Sequence, residues 1–269
     1  MKTVLDLLPS ALKSAIASTA NDNLEEIRLR AGKPIGLVAS GNESSIPYVT
    51  TNTDVASVIE IATQGSLHTA LDSIKQGFIT VQGGHRLGLC GTAVVQNGEV
   101  TLLRDISSVN IRVARERRGI CEGFADKLYD GKRLYNTLVI SPPGMGKTTV
   151  LRDIIRYVSN RGLRVSVVDE RGELAACHAG RPYLDVGRHT DVLDSCPKQT
   201  AIFMLLRAMG PQVIAVDEIT DDVSPIAAAQ SCGVSLVATA HGDRPKYREL
   251  FERFIYIELY GGQRRYSVA

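Results

Sequence analysis

Four apolar runs, LYNTLVI (134–140), LRVSVVDE (163–170), QVIAVDE (212–218) and VSLVATAH (234–241), alternate with stretches of helical spacing. The latter are KTTVLRDIIRYVSN (147–160), TAIFMLLRAM (200–209) and SPIAAAQSC (224–232). Strands apolar on both faces must be covered on both faces, and helices between successive strands provide that cover for a parallel sheet. The region from 133 to 269 is therefore expected to be an α/β domain with a mostly parallel sheet. Ligands of such sheets gather at the carboxyl ends of the strands. Three of these runs end there in Asp169-Glu170, Asp217-Glu218 and His241.

The region before it has another texture. EEIRLRAGKPIGLVA reads as strand, turn and strand, and FITVQGGHRLGLCGTAVVQNGEVTLL as hairpins punctuated by Gly-Gly and Asn-Gly. DVASVIEIAT and LHTALDSIKQG carry helical spacing. A smaller N-terminal α+β domain over 1–118 is expected, beginning with one short amphipathic helix that places Val4, Leu5, Leu8, Leu12 and Ile16 on one side. Residues 119–132 are expected to link it to the α/β domain at 133–269, with the charged RERRG (115–119) at the edge of that linker.

Composition closes off some functions. The 31 basic and 29 acidic residues leave a net charge of +2, and aromatics are 5%, so neither a basic footprint nor a stacking platform for nucleic acid is expected. No window approaches the ~18 apolar residues of a membrane span. Asp6, Pro9 and Lys13 interrupt what would have to be a continuous apolar segment in a signal peptide. Five cysteines without a CxxC pair suit reduced thiols in a cytosolic protein.

Between the run ending at 140 and the helix starting at 147 lies SPPGMGKT. Strand, glycine-rich loop and helix form the setting of a phosphate-binding P-loop. Gly144 and Gly146 let backbone N–H groups turn toward phosphate oxygens, and the helix N-terminus adds its dipole. Pro143, Gly144, Met145, Gly146, Lys147, Thr148 and Thr149 are thus the expected nucleotide-binding residues, for ATP with Mg²⁺. Lys147 would neutralise the β- and γ-phosphates, and the Thr148 hydroxyl would ligate Mg²⁺. Ser141 departs from the usual glycine at the first position, which a residue with negative φ can occupy. Asp217 is the expected second Mg²⁺ residue, Glu218 the group that polarises the attacking water, and His241 a sensor of the terminal phosphate. Asp169 and Glu170 can serve as outlying carboxylates of the site, or as helix caps or partners of Arg171.

GPQVIAVDEITDD followed by AAAQSCGVSLVATAHG resembles the Walker B region and histidine box of type II and type IV secretion ATPases, with VVDERGELAAC in the place of their aspartate box. EEIRLRAGKP, FITVQGGHRLGLCGTAV, ISSVNIRVARE, SPPGMGKTTVLRD and DVGRHTDVLDSCPK resemble, in order, the stage III sporulation protein AA family over residues 24–242. Ser141 matches the pattern of that family; Thr220 stands where secretion ATPases often carry Arg, and the tail after 242 matches nothing identifiable. The resemblance implies a RecA-like fold for the C-terminal domain and a hexameric ring with ATP between the N-terminal and RecA-like domains. It implies an ATP-hydrolysing motor of sporulation, on the mother-cell cytoplasmic side, peripheral to the membrane through the proteins of the channel to the forespore. It also implies that N-domain arginines reach the γ-phosphate; Arg86 in GGHRLGL and Arg112 in SVNIRVA fit, with Arg28, Arg30, Arg104 and Arg207 as weaker candidates. Two other readings are a nucleic-acid-binding ATPase and a ring scaffold that binds ATP with little turnover.

Overall fold

The computed structural model describes residues 2–17, 19, 23–64, 77–219, 222–241 and 248–269. The chain divides into two compact units, Met1–Arg115 and Glu116–Ala269.

In the first unit, helices α1 (Lys2–Leu5) and α2 (Ser10–Ala17) stand where one helix was expected. Pro9 lies at the break, where its ring is tolerated before a first helical turn but not inside one. Of the expected side, Val4, Leu8, Leu12 and Ile16 are nonetheless buried in one core, while Leu5 is partly buried against it and Leu7, not expected there, joins the core. Strands β1 (Leu24–Arg30), β2 (Pro34–Ala39) and β3 (Asn42–Val49) precede α3 (Asn52–Thr63). Thr51 and Asp54 close a reciprocal capping box on α3, which fixes its start. The helical expectation for LHTALDSIKQG falls almost entirely outside the described residues. Strands β4 (Phe78–Val81), β5 (His85–Gln96) and β6 (Glu99–Arg112) complete an antiparallel sheet in the order β3-β2-β1-β6-β5-β4. Asn97 and Gly98, at φ 52° and 82°, make the tight β5–β6 turn that the Asn-Gly pair predicts. Gly91 is required by contact rather than conformation, since a Cβ there would lie 2.5 Å from the Arg104 carbonyl oxygen at a bulge in this pair. Ile27, Leu29, Ile35, Leu87, Ile79 and Ile111 point from one sheet face into the core with Val55 and Val58 of α3. The other face carries Glu26, Arg28, Arg86, Asn110 and Arg112, with Val38 and Phe78 among them.

The second unit opens with Cys121, Phe124 and Leu128 in two 3-10 turns, packed into the same core as Leu134. Residues 119–132, expected as a linker, therefore belong to this unit, and the unit boundary lies at 115–116 rather than 118–119. Its sheet comprises β7 (Thr137–Ser141), β8 (Val165–Asp169), β9 (Thr190–Asp194), β10 (Val213–Val216), β11 (Ser235–His241), β12 (Arg253–Tyr260) and β13 (Gln263–Val268). The order is β13-β12-β7-β11-β10-β8-β9, and every pairing except β12–β13 is parallel. Alternate residues feed opposite faces. Val139, Val167, Ala215, Val237 and Ile255 pack against α4 (Lys147–Asn160). Leu138, Val168, Ile214, Leu236 and Phe254 pack with α5 (Lys198–Ala208) and α6 (Ser224–Ser231). This is the α/β arrangement expected from the apolar runs. Residues 253–268, left without a place by the sequence, are its edge hairpin.

Candidate functional site

The site grows from the end of β7. The chain leaves the strand at Ser141, turns through Gly144 and Gly146 at φ 76° and 95°, and enters α4 at Lys147. These φ values are the ones L side chains rarely adopt, so glycine here is a backbone requirement. Ser141 is buried at the first position of the motif, in β-strand pairing with His241. It fits because the strand, not the left-handed region, supplies its conformation.

Four parallel strand ends bring the expected residues together. Lys147 Nζ donates to the Ser141 carbonyl at 2.9 Å and to the Pro142 carbonyl at 3.3 Å, and lies 3.0 Å from His241 Nδ1. His241 Nε2 lies 3.1 Å from Glu218 Oε1. An ammonium has only donors, so Nδ1 accepts from Lys147 and the ring proton of a neutral His241 sits on Nε2, facing the Glu218 carboxylate. Lys147, His241 and Glu218 thus form one polar chain across β7, β11 and the end of β10. Burial holds the Lys147 ammonium below its ordinary value, while Glu218 and Asp217 draw it back up.

Thr148 Oγ1 donates to Asp217 Oδ1 at 3.3 Å. Asp217 is pushed up to about 6, first by burial, then by the nearby charges of Glu173 and Asp169. A buried carboxylate crowded by like charge gains from a cation, and a hydroxyl beside it supplies a second oxygen ligand. Mg²⁺ takes few protein ligands alongside phosphate oxygens and water, so Thr148 and Asp217 fit it. Thr239 Oγ1 donates to the Asp217 carbonyl, tying the ends of β10 and β11 together.

Asp169 does other work. Its carboxylate accepts from the backbone N–H groups of Glu173, Leu174 and Ala175 at 2.8, 3.0 and 2.8 Å, shaping the loop after β8. From α4, Arg152 donates to the Glu173 and Leu174 carbonyls of that loop, each at 2.6 Å. Glu170 pairs with Lys198 at 3.3 Å. Neither reaches the Lys147–Glu218 chain by a hydrogen bond; Asp169 acts on the site through its charge on Asp217. Glu173 was not anticipated: nothing in its local sequence distinguishes it from the acids around it, and only the loop held by Asp169 brings it near Asp217. Thr220 lies outside the described residues.

Arg86 and Arg112 are direct cross-strand neighbours on the face of the first unit's sheet opposite its core, and Glu26 is opposite Arg112 on β1. Arg112 Nε donates to Glu26 Oε1 at 3.3 Å, and Arg86 lies over the Phe78 ring, 3.5 Å from its centroid. Glu26 also pairs with Arg28 at 2.7 Å and accepts from Asn110 at 3.2 Å. Arg30 and Arg104 approach Glu43 and Asp105 at 3.8 and 3.6 Å. Arg207 is exposed in the last turn of α5.

Among the described residues no helix is long and apolar enough to cross a membrane. The fold is similar to that of the pilus retraction motor PilT with bound ADP, at a TM-score of 0.60 and 16% identity over 96% of this chain and 80% of that one. It is also similar to the ATPase DotB of Legionella pneumophila, at a TM-score of 0.55 and 17% identity over 96% and 78% of the two chains. These likenesses establish the RecA-like fold of secretion ATPases expected from the sequence. The chain is 37% identical to the stage III sporulation protein AA of Bacillus subtilis (strain 168), over 94% of this chain and 87% of that protein. A 26% identity to Protein SEEDLING PLASTID DEVELOPMENT 1 of Arabidopsis thaliana covers 88% of this chain but 33% of that protein. The model of the family described as "Sporulation stage III, protein AA" matches residues 2–262, and with the Bacillus relative it shows that this chain belongs to the stage III sporulation protein AA family, with the fold of secretion ATPases.

Proposed function

We propose that the second unit binds Mg·ATP at the β7–α4 loop and hydrolyses it, and that the protein is a motor of sporulation. The observation that carries this reading is the polar chain from Lys147 through His241 to Glu218, set beside the Thr148–Asp217 pair at one edge of the sheet. Backbone N–H groups of residues 144–149 cradle the phosphates, and Lys147 exchanges its loop carbonyls for β- and γ-phosphate oxygens. Thr148 and Asp217 hold Mg²⁺, which when bound neutralises charge on the β- and γ-phosphates. Glu218 orients and polarises the attacking water. His241, proton on Nε2, fixes the Glu218 carboxylate at one end and senses through Lys147 whether the terminal phosphate is present at the other.

Glu218→Gln keeps an oxygen that accepts from His241 while removing the charge. It should retain nucleotide and lose about 10²–10⁴-fold in turnover, the range for a positioned acid–base group. Equal turnover in this variant and the parent would remove the water-activating role. The finer reading is a homo-oligomeric, hexameric ring on the mother-cell cytoplasmic side. It is held at the membrane by channel proteins, with Arg86 and Arg112 steadying the γ-phosphate. Turnover that rises cooperatively with protein concentration, in step with hexamer formation on sizing, supports the ring; turnover proportional to concentration in a monomer contradicts it.

A further inference from the structure

β12 runs parallel to β7, with Tyr256 opposite Ile140. β7 ends one residue later, so β12 continues past it, alongside the phosphate loop. Gly261 and Gly262, at φ 57° and 78°, then reverse the chain in a two-residue turn that sets Tyr260 opposite Gln263 and Leu259 opposite Arg264. That register decides which side chains face α4. Tyr266 and Val268 pack into the core that α4 shares, and Arg264, two residues before Tyr266, lies on the same face. Arg265 is on the opposite face, its guanidinium 4.0 Å from the Tyr260 ring centroid.

The outcome is a guanidinium beside the phosphate loop. A Cβ placed on Gly146 would lie 3.8 Å from both Cζ and Nε of Arg264. Arg264 has no carboxylate partner among the described residues. A planar fork of donors with no anion, next to glycines that expose their N–H groups, suits phosphate oxygens. Its side of the loop matters. In the sheet, β11 and β10, which carry His241 and lead into Asp217-Glu218, flank β7 on one side, while β12 and β13 flank it on the other.

Resting on the reading of this loop as a nucleotide site, we infer that Arg264 is a further nucleotide-binding residue. It contacts the phosphates retained in the diphosphate product, away from the cleaved bond. A contact kept from substrate to product stabilises both, so its loss shows as weaker affinity for ATP and ADP alike.

The test is calorimetric titration of Mg·ADP and of a Mg-bound non-hydrolysable ATP analogue into the full chain, Arg264→Ala, Arg264→Lys and Arg265→Ala. Arg264→Ala should weaken both nucleotides alike by about tenfold or more, the effect of losing one charge-assisted hydrogen bond. Arg264→Lys should recover part of the loss, and Arg265→Ala should bind as the parent does and match its kcat at saturating ATP. Binding by the parent with equal binding by Arg264→Ala overturns this inference alone. So does a loss confined to the triphosphate analogue, or an equal loss in Arg265→Ala. A parent that binds neither nucleotide overturns the reading of the site and takes this inference with it.

Discussion

The two units present their charged groups in opposite ways. In the second unit, Asp217, Glu218 and His241 at strand ends and Lys147 and Thr148 in the first turn of α4 gather where parallel neighbours converge, and they bond to one another. In the first, Arg86 and Arg112 lie near the ends of β5 and β6 but on a sheet face, opposite each other across the strands, and Arg112 and Arg28 share the Glu26 carboxylate. A parallel sheet builds a site at its edge because every strand delivers its loop to the same place. An antiparallel face spreads its side chains in a lattice, where each charge is met by its cross-strand neighbour. Under the proposed function the strand-end cluster would need no exchange of partners beyond the loop carbonyls of Lys147, whereas the arginine face would have to give up local partners for a phosphate.

That contrast can be broken most forcefully at the strand-end cluster. Lys147→Ala should abolish detectable ATP turnover and weaken Mg·ATP by about 100-fold or more, because it removes the one cation inside the loop. Unchanged affinity would place the phosphates elsewhere. The arginine face should matter less. Arg86→Ala and Arg112→Ala should each lower turnover about tenfold in assembled protein with little change in affinity, as expected of groups acting on developing charge. Parent-like turnover in either variant removes that residue. Glu26→Gln sharpens the point, since releasing Arg112 from its carboxylate should raise turnover, by about twofold at most for an exposed pair.

The pH dependence isolates Asp217. Its folded pKa, about 6, lies above the ordinary 3.8, so the folded state holds its proton more tightly than the unfolded chain. The associated stability is complete below about pH 4 and is lost as pH rises through about 6. Asp217→Asn, uncharged throughout, should therefore be more stable than the parent at pH 7.5, by on the order of 3 kcal/mol, and level with it near pH 4. Proton competition should also weaken Mg²⁺-dependent nucleotide binding several-fold between pH 7.5 and 5.5. A flat profile would mean that Asp217 is ionised and solvated across this range.

Much of the strand-end cluster was legible because its signals are local. The loop glycines, Lys147-Thr148 and the acids closing each apolar run are read from adjacent residues. What escaped depends on register. QRRYSV looks unlike a strand because arginines fall on both of its faces, and only its pairing with β12 turns Arg264 toward Gly146. β9, an edge strand carrying two aspartates, has no two-sided apolar pattern. The roles of Asp169 and Glu170 could not be separated by sequence, because β8 ends between them: Asp169 closes the strand and caps the following loop, while Glu170 begins the turn and pairs with Lys198. The first helix was read through Pro9 because its buried positions keep one spacing on both sides of the break. The partners of Arg86 and Arg112, Phe78 and Glu26, come from strand pairing and leave no mark in the residues beside them.

The most direct measurement is a calorimetric titration of a Mg-bound, non-cleavable ATP analogue into the purified full chain. The account predicts saturable heat at one nucleotide per chain. No heat, or the same heat whether or not the loop at residues 143–149 is intact, would contradict it.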